Sequence, residues 1–473
     1  MTGFEPLVLW TDLLLFGLLA CMALAAWSAR RSEPMRDAWR RVGASSVGMS
    51  ALTLLSLFLL VGVIDSLHYR ERLAPAAGTP AADDRRQLST EVRSALDALA
   101  APLRTRVEKT YSAPLAYQLF SKQTVEGPGG TQSREFPRLK FGGANLKYPD
   151  EDQGGDIVGR AGMGLAMGAG AWLLVAAGLV GAVAASRRVP FGAAWRAVWR
   201  GKGGPAWRAV LATLGVVVAL VGPIAALAME YHVFGTDKVG QDVLFLTLKS
   251  IRTALIIGTL TTLVTLPLAV ALGILAGYLG GWVDDVIQYL YTVLNSIPGV
   301  LLIAAAVLMM QVVIDTHPQW FETAAERADA RLLALCLILG MTSWTGLCRL
   351  LRGETLKLRE LEYVQAARAF GVSTARILAR HVLPNLMHLV LIALVMDFSG
   401  LVLAEAVLSY VGIGVDPGTV SFGTMINAAR MELAREPMVW WSLVAAFIFM
   451  FVLVLAANLF ADVVRDAFDP RAG

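Results

Sequence analysis

The sequence predicts an all-α polytopic membrane protein, and three observations predict it. Of its 473 residues, 56% are hydrophobic and only 16% charged, with a mean hydropathy of +0.59; a soluble domain is typically about a quarter charged. The apolar residues fall in runs of about 20, the length at which a helix crosses a hydrocarbon layer with its backbone polar groups satisfied internally. The arginines gather beside these runs on alternate connections, as a positive-inside bias requires.

By length, about nine runs span: near 7–28, 43–65, 161–185, 208–230, 251–279, 286–313, 331–350, 386–411 and 438–461. The first follows Glu5 and precedes Arg30 and Arg31, the reverse of the charge order of a secretory signal, so it reads as a retained helix with its N-terminus outside. Arg36, Arg40 and Arg41 also follow this run. Arg187, Arg188, Arg196, Arg200, Lys202 and Arg208 lie between the third and fourth runs with no acid among them. Arg349, Arg352, Lys357, Arg359, Arg368, Arg376 and Arg380 follow the seventh. Strict alternation puts all three groups on one side, the cytoplasmic one, together with the C-terminus.

Residues 66–160 form a basic insert on the other side, where long loops translocate regardless of charge. Within it Leu88, Val92, Leu96 and Leu99 recur at helical spacing, predicting a short amphipathic helix up to Pro102. The stretch 125–155, rich in Gly, Pro and charge, reads as loop. The insert reads as a structural or partner-contacting appendage. Cys21, Cys336 and Cys348 lie in or at the end of apolar runs without metal-ligand spacing, and read as packing residues.

The net charge of +4 and pI near 9.0 do not indicate nucleic acid, because the basic residues flank the apolar runs. The phosphate-binding pattern GxxxxGK[ST] is absent, so any ATP used is bound by another chain. The segment after the seventh run, RGETLKLRELEYVQAARAFGVSTARILARHVLPN, is too charged to span. It reads as two helices meeting at Gly371, a left-handed or close-approach position. Leu356, Leu361, Val364, Ala367 and Phe370 make an apolar stripe on the first helix. Ser373 or Thr374 caps the second, which ends before Pro384. Such a knob between two membrane helices is suited to passing a push from a soluble partner to the membrane.

Residues 362–384 resemble the ATPase-docking loop of binding-protein-dependent ABC importer permeases. That family's pattern is Glu-Ala-Ala, three residues, Gly, nine residues, Ile, one residue, Leu-Pro. Here Gln365-Ala366-Ala367, Gly371 and Leu383-Pro384 stand at those spacings, with Gln365 replacing the acid and His381 the isoleucine. EYVQAAR, beginning at Glu362, and RHVLPN resemble the dipeptide/oligopeptide branch, which also includes nickel permeases. FGTDKVGQDVLF, with Gly235, Asp237, Gly240 and Asp242, is similar to the turn after that branch's first core helix, and physically it reads as a tight turn with helix-capping aspartates. GYLGGWVDD (277–285), LSYVGIGVDPGTVSFGTMI (408–426) and the closing RDAFDPR (465–471) resemble later landmarks of the branch.

The resemblance implies a type I importer transmembrane fold of about six core helices over 207–473, with coupling loop 353–384. Residues 1–206 are then an extension of about three helices plus the insert. It also implies a second permease subunit, two ATPase subunits carrying ATP and magnesium, an external solute-binding protein, and a bacterial inner membrane location. The implied cargo is a peptide, and this chain catalyses no covalent chemistry. Asp397 and Glu405 stand in the eighth run, about 80° apart around a helix. Each carboxylate costs about 2.5–3.5 kcal/mol unpaired. They line a translocation path, or they pair with groups on a neighbouring helix, or Glu405 lies near the outer interface. Pro267 and Pro298 fall within predicted spans and are expected to kink them. The rival readings are a self-contained secondary transporter, or a membrane scaffold or enzyme built on the insert. The first needs coupling-ion residues, and the second a convergent cluster that His68, His232, His317, His381 and His388 do not form.

Overall fold

A computed structural model describes residues 4–29, 33–72, 88–126, 132–201, 204–416 and 418–468. Arg30, Arg31, Lys202, Pro417 and the closing Asp469-Pro470-Arg471, all used above, lie outside the described residues. The chain opens with β1 (Phe4–Leu7), α1 (Trp10–Ala29), α2 (Glu33–Ala44) and α3 (Ser46–Asp65). The insert holds β2 (His68–Arg72), β3 (Leu88–Ser94), α4 (Ala95–Leu99), α5 (Ala101–Thr105), β4 (Gln123–Glu126) and β5 (Gln132–Glu135). Then come α6 (Pro149–Arg187), α7 (Phe191–Arg200), α8 (Trp207–Leu227), α9 (Val243–Leu279), α10 (Gly281–Ser296) and α11 (Gly299–Thr316). The rest is α12 (Ala324–Ser343), α13 (Thr345–Arg359), α14 (Glu362–Ala369), α15 (Thr374–Ile377), a π turn (Leu378–Val382), α16 (Leu383–Val411), α17 (Phe422–Glu432) and α18 (Trp441–Phe468).

Among the described residues, eight helical segments are long and apolar enough to cross a membrane, with α12–α13 and α15–α16 each counting as one. Helix α1 adds a shorter apolar stretch, Trp10–Leu24. The nine predicted runs map onto these with one change: 286–313 is two helices, α10 and α11. Pro298 is the N-cap of α11 and Ile297 before it is extended, so the proline divides two helices instead of kinking one. Pro267, by contrast, lies inside α9.

The connections sort to two ends. At one, the Ala206 amide donates to Gly43 O at 2.7 Å and Gly48 packs on Val463, joining α2, α3, α8 and α18. The α13–α16 connection lies at this same end, beside the α9–α10 turn. At the other, Trp441 Nε1 donates to Thr236 O at 2.9 Å and Leu115 N to His232 O at 2.9 Å, joining the insert to the core. The core of the second half follows α9. Its first half packs Ile251, Ala254 and Leu255 with Val402, Phe422, Trp441 and Leu453. Its second half packs Ala269 and Ile274 with Leu347, Leu351, Val364, Ile377 and Leu386.

The insert corrects the expected helix at 88–99. Leu88 and Val92 lie in β3, which pairs antiparallel with β2 (His68↔Ser94, Tyr69↔Arg93), while β2 pairs on its other edge with β1. Partner strands satisfy this backbone, so sheet pairing overrides the helical spacing. The helix is the short α4, opened by a Ser94–Asp97 capping box, and Leu99 is 71% exposed. A second correction is that α6 starts at Pro149 within the predicted loop, its first turn holding Asp150, Glu151 and Asp152 as a helix N-terminus favours. Two amphipathic helices not read from the sequence, α2 and α7, occupy the end that carries α14.

Candidate functional site

The α13–α16 connection folds as a hairpin of short helices. Val364 of α14 and Ile377 of α15 are each 1% exposed and belong to the core under α9 and α13. Each such buried side chain is worth about 1.5–3 kcal/mol. Gly371 closes α14 at φ +74°, with its amide donating to Arg368 O at 3.0 Å and that of Val372 to Ala367 O at 3.1 Å. No atom lies within 4 Å of the position a Cβ would take there, so the glycine answers the left-handed backbone and not a close approach within this chain.

The outward face differs from the expected apolar stripe. Val364 is buried and Leu356 and Ala367 are half-buried, but Leu361 is 41% and Phe370 87% exposed. The anchor is one residue per turn, and the end of α14 presents a bare phenyl ring. Glu362, Gln365 and Ala366 are exposed. Gln365 Nε2 donates to Glu360 O at 3.3 Å and Oε2 at 3.2 Å, holding α14 to the end of α13. Asn385 Nδ2 donates to Tyr363 OH at 3.0 Å and His381 O at 2.6 Å, tying α14 to the start of α16.

The second helix does not end before Pro384. It runs from Thr374 to Val411, with Pro384 in the first turn of α16 and the π turn, which contains His381, just before it. A π turn shifts the hydrogen-bond register where a proline has no N–H to give. Leu383 is half-buried and Pro384 exposed. Ser373 is the N-cap but makes no side-chain capping bond. Arg352 of α13 grips Asp284 of α10 through both guanidinium edges, Nε–Oδ1 at 2.5 Å and Nη2–Oδ2 at 2.6 Å. The helix that leads into the hairpin is thus tied to α10, and the hairpin itself to α16.

The two intramembrane carboxylates separate. Glu405 is 1% exposed and accepts from Ser409 Oγ at 2.6 Å and Ser421 Oγ at 2.9 Å. Ser421 caps α17, so Glu405 fastens the 412–421 loop. Asp397 lies half-buried midway along α16, about 21 Å of helix from either end. It has no hydrogen-bond or ion-pair partner among the described residues.

The family "Binding-protein-dependent transport system inner membrane component" matches residues 269–473, the stretch holding the hairpin and both carboxylates. An oligopeptide transport system permease protein (OppC) of Mycobacterium tuberculosis H37Rv is 34% identical over 241 residues, 51% of this chain and 76% of that protein. The chain belongs to this family. A dipeptide transport system permease protein (DppC) of Lactococcus lactis is 32% identical over 243 residues, covering 51% and 65% of the two chains. A glutathione transport system permease protein (GsiD) of Pectobacterium atrosepticum is 31% identical over 240 residues, covering 51% and 73%. The protein is therefore a multi-pass permease subunit of an ABC importer with the type I transmembrane fold, and ATP hydrolysis belongs to a partner chain. Such a permease works with an ATPase, a solute-binding protein and a second permease.

Sequence reasoning missed a polar network that fastens the first half of this permease to its core. Lys249 Nζ lies 2.8 Å from Asp65 and 3.1 Å from Asp97; Arg252 Nη2 lies 2.6 Å from Asp12, whose other oxygen meets His68 Nδ1 at 2.8 Å. The signal was two cations three apart in an apolar run, with Asp12 and Asp65 at the ends of two others. Nearby, the turn at 235–242 has its aspartates in capping roles: Asp242 Oδ1 accepts from Leu244 N at 2.8 Å, and Asp237 Oδ1 from Val239 N and Gln241 N at 3.0 and 2.8 Å.

The insert sits on this turn. His232 Nδ1 is 2.8 Å from Asp242 and its Nε2 3.5 Å from Glu108 of the insert, all three groups buried. The Glu108 carboxylate also accepts from the amides of Lys140, Phe141 and Gly142 at 2.9, 2.7 and 3.1 Å. Burial opposes the charging of His232, but its two carboxylate partners outweigh it and raise the pKa to about 9. Burial likewise opposes the charging of Glu108, and its interaction with His232 and the three amides hold it at about 2.

Proposed function

We propose that the chain forms one half of the translocation path of an ATP-driven, binding-protein-dependent peptide importer, and that residues 362–384 dock on an ATPase subunit that carries ATP and magnesium. The observation that carries the docking role is Phe370, an 87% exposed phenyl at the tip of a hairpin whose base is fixed by Val364 and Ile377. A bare aromatic on a rigid support is the form of an interface anchor. Around it Glu362, Gln365, Ala366, Ala367 and Gly371 make the docking face, and His381, Leu383 and Pro384 link it to α16. Peptide cargo is supported by the relatives named for oligopeptides, dipeptides and glutathione, which share peptide-bonded substrates.

In this reading residues 207–473 are the permease core and 1–206 an extension. The hairpin and C-terminus are cytoplasmic, and the N-terminus and insert are external, a sidedness supported by the arginine distribution. The second permease subunit is a related but different chain, two ATPases complete the assembly, and the solute-binding protein meets the insert end. Asp397, unpartnered at mid-span, faces the path, since a carboxylate at that depth needs water or a partner. Glu405 has its partners within the chain and secures the outer loop.

Co-expression with the ATPases and second permease tests the docking role. Phe370→Asp, Gly371→Asp and deletion of 362–384 are each expected to reduce ATPase co-purification at least about ten-fold, the loss of one interface anchor, while the protein still inserts and elutes monodisperse. Normal ATPase recovery with the deletion variant would sink the assignment.

A further inference from the structure

Helix α7 spans the short interval between α6 and α8 and is packed on them by Ala194 and Val198, in one cluster with Val183 and Leu211. Being tied at both ends to membrane helices, it is held at the level where those helices leave the membrane. Its free surface carries two stripes. Phe191, Trp195 and Trp199, four apart, form a row with ring centroids 6.3 and 6.1 Å apart; Phe191 and Trp199 are 49% and 43% exposed, while Trp195 between them is half-buried against the Ala194 cluster. Next to that row stand Arg196 and Arg200, flanked by Arg188 at the end of α6 and Arg208 at the start of α8, all exposed.

These four arginines form no ion pair among the described residues, and the sequence holds no Asp or Glu from 157 to 229. Elsewhere at this end several cations pair with acids on their own helix, Arg36 with Glu33 and Arg40 with Asp37 on α2 and Lys357 with Glu354 on α13, whereas α7 carries no acid at all. An aromatic row beside an unneutralised arginine row, on a helix held at the membrane boundary, matches the two layers of a lipid surface. Indole rings seat at the acyl boundary, and guanidinium groups reach phosphate.

We propose that α7, with Arg188 and Arg208, is a binding surface for anionic phospholipid headgroups of the adjoining leaflet. It holds the added helices against the membrane independently of which solute the permease carries. A protein partner is the weaker fit, because the aromatic row and the arginines lie side by side along one helix, where a leaflet offers its own two layers.

Native mass spectrometry of the full chain, extracted from vesicles of equal phosphatidylglycerol and phosphatidylcholine, tests this. Wild type is expected to retain phosphatidylglycerol over phosphatidylcholine by about five-fold or more, the scale of one surface cation on an anionic membrane. The triple variant Arg188→Gln/Arg196→Gln/Arg200→Gln should fall to near parity. The corresponding triple lysine variant should keep the preference, which separates lost charge from lost folding. Phe191→Ala/Trp199→Ala, at the two exposed rings, should retain less lipid in total with the preference intact. Parity in wild type, or an unchanged preference in the glutamine variant, overturns the proposal. So does abolition of the preference by millimolar inorganic phosphate, which marks a free-anion site. Loss of ATPase co-purification by the glutamine variant with its lipid pattern unchanged also overturns it, as the mark of a protein-docking surface.

Discussion

Two glycines with the same backbone requirement carry different consequences. Gly371 at φ +74° has open space around it, whereas Gly240 at φ +79° has Glu108 O only 1.9 Å from where a Cβ would stand. Gly371→Ala should cost only the left-handed strain, about 1–2 kcal/mol. Gly240→Ala adds a backbone clash and should cost about 3 kcal/mol or more by overpacking, since either the turn or the insert must move. Thermal unfolding in detergent measures both. If Gly371→Ala lost its ATPase at so small a stability cost, the partner's backbone must approach that glycine closely in the assembly.

At the level of elements, the hairpin is a stiff connection because α9, α13 and α16 hold it and α13 is itself braced on α10. Val364 and Ile377 set it on α9 and α13, Asn385 joins it to α16, and Arg352–Asp284 joins α13 to α10. The arginine and aspartate side chains are 24% and 13% exposed, so solvent screens the pair only partly. Removing either partner should cost about 1.5–3 kcal/mol, the range for a charged hydrogen-bonded pair. A double-mutant cycle with Arg352→Ala and Asp284→Ala should show positive coupling in unfolding. Additive single losses would show that the pair contributes nothing beyond its separate contacts. The continuity of α15 through the π turn into α16 means that a displacement of α15, one tight turn at Gly371 beyond Phe370, reaches a helix carrying Asp397 without a further loop.

At the level of the whole molecule, the insert and the first two spans, α1 and α3, are locked onto α9 and the 232–242 turn through buried charge. Titration of that lock has a defined sign. His232 is raised from 6.5 to about 9, so its contribution is complete below pH 6.5 and lost as pH rises through 9. Glu108 is lowered from 4.5 to about 2, so its contribution is present above pH 4.5 and lost as pH falls toward 2. Docking of the insert should be firmest between about pH 4.5 and 6.5. Limited proteolysis across pH should show the insert released toward both extremes. Glu108→Gln should bring the alkaline release to lower pH by removing one of the charges that holds His232 protonated. An alkaline edge that does not move in this variant would remove Glu108 from the lock.

Membrane residence, the approximate spans and the family were legible in the chain itself. Apolar run length and arginine placement act locally along a helix, whichever helix packs beside it. The turn at Gly371 was legible for the same reason, since turn chemistry depends on near neighbours. Only tertiary structure decided that Phe370 faces outward while Val364 faces in, because the helical stripe contains both and the surface of α9 and α13 admits one. It also decided that Leu88 and Val92 join a strand, since β2 supplies the missing partners, and that the helix continues past Pro384 through a π turn. Glu405 and Asp397 look alike in one apolar run; Ser409 and Ser421 reach the first and nothing in the described chain reaches the second. The loop that carries the family resemblance in sequence remains the same segment, but its exposed surface is set by what its neighbours leave uncovered.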